Sequence, residues 1–155
     1  MLNKINKQRI IQLIAKTNQF NTTTNRYNEK ELAELSKTGS VWGIRIKDRL
    51  GTDEIIGVLV VQPNNGKLVI ENFLLSCRVL GRGLDTAVLS WCTSLASKNG
   101  YKYVLAEIIK TERNKPIHDL YKKHGFDCIP HNRYQIATND NALKLPGWFQ
   151  VITDK

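Results

Sequence analysis

Cysteine is scarce in this chain of 155 residues, where Cys77, Cys92 and Cys128 are odd in number, widely spaced and free of any Cys-x-x-Cys pair. That rules out a disulfide framework or a zinc or dithiol centre as the organising feature, and the thiols are expected to be buried or incidental. Long apolar runs are missing as well. No stretch has the length and purity of a membrane-spanning helix, and the polar opening Met1 to Lys7 has no apolar run followed by a small-residue cleavage site. The expectation is a cytoplasmic protein with no membrane partner. Acid is in deficit, with 14 Asp+Glu against 23 Lys+Arg, and the net charge of +9 favours an anionic partner. The basic residues are scattered and no nucleic-acid motif occurs, so a nucleic-acid binder is set aside. His124 and His131 have no metal-ligand spacing to a cysteine or carboxylate, and no metal is expected.

What remains is ordinary globular material, 41% hydrophobic and 24% charged, with neither repeat nor linker. Its length suits one domain over residues 1–155. From Ile5 to Lys16 the residues Ile10, Leu13 and Ile14 recur at helical spacing. A polar stretch from Thr17 to Tyr27 reads as a loop, and Asn28 with Glu31 as the capping box of a short second helix through Leu35, closed near Gly39. The centre is sheet-like, with strands over Val41 to Lys47, Ile55 to Val61 and Lys67 to Leu75. The turns Gly51-Thr52-Asp53 and Asn64-Asn65-Gly66 make these three antiparallel. Beyond Gly83 the period becomes helical, with Leu84, Ala87, Val88, Trp91 and Leu95 on one face up to Lys98-Asn99-Gly100. A strand is expected from Tyr103 to Ile109, then a helix capped by Asn114 that turns Ile117, Leu120 and Tyr121 inward and ends at Gly125. A last strand is expected from Trp148 to Ile152. The fold class is α+β, a mixed sheet flanked by helices.

Chemistry concentrates at Arg78-Val79-Leu80-Gly81-Arg82-Gly83, between a strand ending near Ser76 and a helix opening at Gly83. Glycines there let backbone approach a ligand closely, and free N–H groups at a helix start bind phosphate with help from the helix dipole. Arg78 and Arg82 add pairing charge. The bland alternative is a strand-to-helix turn that merely needs glycine.

This hexapeptide resembles the Arg/Gln-x-x-Gly-x-Gly/Ala loop of GCN5-related N-acetyltransferases (the GNAT superfamily). Asn114 to Phe126 resembles the same family's Asn-x-x-x-x-x-x-Tyr-x-x-x-Gly-Phe segment. The resemblance implies a GNAT-like acyl-CoA N-acyltransferase fold with acetyl-coenzyme A, or an acyl-phosphopantetheine, as donor. It places the pyrophosphate at Arg78 to Leu84, the pantetheine arm at Asn114, and the acid that protonates the departing thiolate at Tyr121. The family's usual first strand is missing before the first helix, which leaves a sheet edge for a partner subunit, as in a homodimer, or for a neighbouring domain.

A narrower resemblance is carried by Thr17 to Thr23, by Asp48-Arg49-Leu50-Gly51 with Ile56-Gly57-Val58, and by Phe73 to Arg82. These segments are similar to the C-terminal region of FkbH-like proteins, which make glyceryl-acyl-carrier-protein. Glyceryl chemistry in those proteins belongs to a haloacid-dehalogenase-like domain with an Asp-x-Asp nucleophile, and no Asp-x-Asp occurs here.

Attack of an amine or hydroxyl on a thioester needs a base, an oxyanion donor and an acid. Glu71 lies mid-strand among aliphatics just before the glycine loop and is the first candidate base; alternation that simply aims it at solvent is the competing reading. Glu107 and His118 follow as weaker candidates, His118 reading more readily as a surface residue beside Asp119. A small-molecule acceptor is expected against the first two helices and the loop between them, where Asn18, Gln19, Asn21 and the threonines offer hydrogen bonds. Two functions fit these residues: an acyltransferase, or a non-catalytic module that docks an acidic acyl carrier protein or its phosphopantetheine arm.

Overall fold

The computed structural model describes residues 1–3, 6–49, 51–139 and 143–153; Ile5 and Leu50, which enter the sequence reading above, lie outside them. Helices α1 (Lys7–Lys16) and α2 (Glu29–Thr38) precede strands β1 (Ser40–Lys47), β2 (Asp53–Asn64) and β3 (Lys67–Leu75). Helix α3 (Leu84–Lys98), strand β4 (Tyr103–Glu107), the short helix α4 (Leu120–Lys123) and strands β5 (Asp127–Ile129) and β6 (Arg133–Ala137) follow. One six-stranded sheet has the order β1-β2-β3-β4-β6-β5, and β3 and β4 form its parallel pair.

Helix α1 forms where expected, because Ile10, Leu13 and Ile14 give it one apolar stripe, and all three are buried. The capping box of α2 is complete: Asn28 Oδ1 accepts from Glu31 N at 3.0 Å, and Glu31 Oε2 accepts from Asn28 N at 2.8 Å. Both helices bury their stripes against Val41, Val58, Val60 and Leu74. The larger cluster holds Leu59, Phe73, Leu89, Val104 and Phe126, so β2 alternates side chains between two cores. Truncating Phe73, which is wholly buried, to alanine would cost about 3–5 kcal/mol.

Strand β3 carries one extra residue near Glu71, where the register against β2 shifts between Val60 and Val61. Leu68 and Ile70 before it, and Phe73 and Leu75 after it, therefore enter the same cluster although their parity differs.

Three expectations change. The strand after α3 stops at Glu107, two residues short of Ile109. Asn114 caps no helix: a 3₁₀ turn at Lys115–Ile117 and the four-residue α4 replace the continuous helix, because the Asn114 side chain is drawn elsewhere. No strand forms at Trp148 to Ile152, where Trp148 is 77% and Ile152 78% exposed. The sheet instead ends in β5 and β6, joined by His131 and Asn132 with φ of 68° and 54°, a pair of left-handed residues suited to a tight hairpin. Along α3 the expected Leu84, Ala87 and Val88 are buried, the stripe widens to Leu89, Cys92 and Ala96, and Trp91 and Leu95 stand at its margin.

Candidate active site at the parting of two strands

Helix α3 begins without a side-chain cap. Its N-cap, Gly83, is left-handed at φ 76°, and Gly81 has φ 75°, conformations that a Cβ would strain. The two glycines therefore present the helix's first N–H groups at an exposed turn. The surrounding charge is mixed. Arg78 pairs with Glu54 at 2.7 Å and Arg82 with Asp48 at 3.4 Å, while Asp85 sits in the first turn of α3. Val79 is buried and Leu80 packs against the core, so these two shape the loop from beneath. A Cβ on Gly83 would stand 3.6 Å from Trp148 and 3.7 Å from Phe149, which places the C-terminal segment over the loop.

Beyond the pair Ile70 and Ala106, β3 and β4 part. The gap is filled by the chain's own residues Phe20 to Thr23, which lie beside β3 as an added strand with Asn21 bridged antiparallel to Leu74. Thr22 N donates to Phe73 O at 3.1 Å, Phe73 N to Thr22 Oγ1 at 3.0 Å, and Leu75 N to Phe20 O at 3.1 Å. On the far side Ile109 N donates to Thr22 O at 2.9 Å. Asn21, Thr22 and Thr23 are thereby buried. The polar loop that the sequence offers to an acceptor spends these three residues inside the fold.

Asn114 locks this filling in place. Its Nδ2 donates to Asn21 O at 3.0 Å and Ile109 O at 2.9 Å, and its Oδ1 accepts from Thr111 N at 2.8 Å. His118 Nε2 lies 2.9 Å from the same Oδ1 and 3.1 Å from Thr111 O, so His118 belongs to this knot instead of standing free on the surface. The Asn114 amide is wholly buried and its donors are both used.

Tyr121 is fully buried among Phe126 and Tyr134, with ring centroids 5.1 and 5.6 Å away, and its hydroxyl has no hydrogen-bond partner. Burial holds this phenol protonated far above its ordinary range, and the nearby Thr22 hydroxyl offsets that only in part. Cys92, the one buried thiol, is pushed up to about 12 by burial alone and is inert as a nucleophile; Cys77 and Cys128 are exposed.

At the mouth of the parting stand Glu71 and Glu107, the residues that follow the last paired rung. Partial burial raises the Glu71 carboxyl, and the neighbouring Glu107 charge raises it further. Tyr27, whose hydroxyl accepts from Asn25 Nδ2 at 3.1 Å, feels the Glu71 charge and is itself raised, mainly by burial. Sequence spacing did not single out Asn25 and Tyr27; the contact of their loop with β3, where Asn72 Nδ2 meets Asn25 O at 3.4 Å, brings them here. Among the described residues no group of three or more His, Cys, Asp or Glu side chains is gathered as a metal site would need.

A family model described as Acetyltransferase (GNAT) family matches residues 8–126. Among solved structures, the chain is similar to the ribosomal-protein-S18-alanine N-acetyltransferase from Escherichia coli at 13% identity and TM-score 0.63, covering 97% of this chain and 96% of that one. It is similar to a Bacillus subtilis acetyltransferase in complex with CoA at 14% identity and TM-score 0.61, covering 88% and 96%. A Mycobacterium tuberculosis protein in complex with CoA and NLQ matches at 17% identity and TM-score 0.60, covering 82% and 69%. A search of curated proteins returned no match.

Proposed function

Because the chain belongs to the GNAT family of acetyltransferases, we propose that it transfers an acyl group, in the first instance acetyl, from a phosphopantetheine thioester to an amine or hydroxyl. The observation that carries this reading is the carboxylate pair Glu71 and Glu107 at the strand parting, with Glu71 raised toward the range in which a carboxylate works as a base. The left-handed glycines at the uncapped start of α3 fit a pyrophosphate. When bound, the donor supplies the activated acyl thioester. Glu71 then takes the proton of the attacking nucleophile, and Tyr121, protonated at neutral pH as any phenol is, is the acid for the departing thiolate, a role that its burial opposes. The likeness of residues 17–23 and 73–82 to FkbH-like C-terminal regions supports a carrier protein as one source of the thioester, and the charge of +9 supports an acidic one.

One observation favours a second reading. Phe20 to Thr23 occupy the backbone positions on β3 at which an extended arm would pair, so the donor's arm has no open strand edge in this conformation. A non-catalytic module that docks a carrier protein by its surface needs no such edge.

Calorimetric titration with acetyl-coenzyme A and, in parallel, with ADP separates the two. Acetyl-coenzyme A bound more tightly than ADP, with free thiol released on adding an amine, is the outcome expected of the enzyme. Equal affinities, or none, would remove the arm from the binding site and leave carrier-protein docking.

A further inference from the structure

One cavity lies away from the strand parting and shares no residue with Glu71, Glu107, Asn114 or Tyr121. About 460 Å³ in volume, it sits between the outer part of β1 and helix α3, with Phe149, Val151 and Ile152 of the C-terminal segment along its open side. Ile44, Val88 and Trp91 make apolar walls. Trp42 and Trp91 meet edge to face, centroids 4.8 Å apart at 78°. Two features are foreign to a cavity that merely lacks filling. The Trp42 indole Nε1–H is buried and has no hydrogen-bond partner. Arg45 lines the cavity while paired with Asp53 at 2.8 Å, and among the described residues no carboxylate lines the cavity.

A buried donor left unpaired costs about 1–3 kcal/mol, and native proteins keep few of them. A pocket of this size with apolar walls and one or two convergent polar groups has the makeup of a small-molecule site. We infer that this cavity binds a small apolar carboxylic acid, its chain or ring between Trp42 and Trp91, an oxygen accepting from Trp42 Nε1–H and its charge toward Arg45. The cavity stands apart from the strand parting but adjoins the glycine loop, since Leu84 and Phe149 are among its lining. At the edge of β1 beside it, Leu2 N donates to Val41 O at 2.7 Å.

The test uses the whole chain and octanoate as probe, with octylamine as a greasy control of opposite charge. Three tryptophans give three indole N–H resonances. Octanoate should shift the Trp42 indole proton downfield and saturably, leave that of the exposed Trp148 unmoved, and be displaced by no concentration of octylamine. Trp42→Phe keeps the ring and should weaken octanoate roughly 3- to 10-fold, the worth of one hydrogen bond. Val88→Phe, which fills the cavity, should abolish binding; if that variant does not fold, Trp42→Phe decides alone. An unmoved Trp42 resonance, unchanged affinity in Trp42→Phe, or equal binding of octylamine overturns the inference. So does sedimentation showing that octanoate dissociates a dimer, since the cavity would then be a protein interface.

Discussion

The start of α3 and the parting of β3 from β4 are the two halves of one expected donor site, and they are in opposite states. At the helix start the left-handed Gly83 leaves the first turn without a side-chain cap, with Trp148 and Phe149 of the C-terminal segment near its Cβ position. At the parting, the backbone of Phe73 and Leu75 is answered by Phe20 and Thr22, and the seam is sealed by Asn114. A local motif can therefore be intact while the neighbouring groove is taken by a segment some fifty residues earlier in the chain. What a loop can bind and what a groove will admit are settled by different parts of the sequence.

The comparison breaks most sharply at Asn114. Asn114→Ala leaves the carbonyls of Asn21 and Ile109 without their donor and should lower stability by about 3 kcal/mol in urea unfolding. It should also speed hydrogen exchange at Thr22 and Ile109. A loss below about 1 kcal/mol would mean that the seam is held by something else. Thr22→Val removes the acceptor of Phe73 N and should cost about 1.5 kcal/mol. If the filling segment and the donor's arm compete for β3, the same variant should bind acetyl-coenzyme A up to roughly tenfold more tightly. Unchanged affinity would remove the competition.

Much of this architecture was legible in the sequence because it is local. The stripe of α1, the capping box at Asn28 and the hairpin at Asn64-Asn65-Gly66 each follow from residues within a few positions of one another, and all form as expected. The β5–β6 hairpin was missed because three-residue strands carry almost no alternation, and His131-Asn132 is a less familiar left-handed pair than Asn-Gly. Trp148 to Ile152 has strand-forming residues but finds no edge, so propensity yielded to context. At the candidate site, the left-handed turns at Gly81 and Gly83 could be anticipated from the glycines themselves. The burial of Asn21, Thr22 and Thr23 could not, since it depends on where two strands diverge.

Tyr121→Phe tests the filled half from within. Removing a buried hydroxyl that has no partner should raise stability by about 1 kcal/mol, seen as a higher Tm, while slowing acyl transfer if the phenol is the acid. A gain in Tm with undiminished transfer would strip Tyr121 of its role. The smallest effect belongs to Glu71. Its folded carboxyl is raised above the unfolded value, so above the ordinary carboxylate range the folded state holds more proton than the unfolded one, and stability declines as pH rises through that window. Glu71→Gln should flatten this decline in melting curves taken from pH 4 to 8, and the wild-type rate should fall as pH drops below the raised carboxyl. A decline that survives the substitution would assign it to another group.

The bond from Asn114 to Asn21 joins residues 93 positions apart. Closing so long a loop is an entropic cost that local helices and hairpins do not bear, so this contact belongs to the late part of the folding reaction. Its loss should then be felt in how fast the native state opens, with little change in how fast it is reached. The seam between β3 and β4 would act as a kinetic latch, setting the lifetime of the closed form while contributing little to the rate of its assembly.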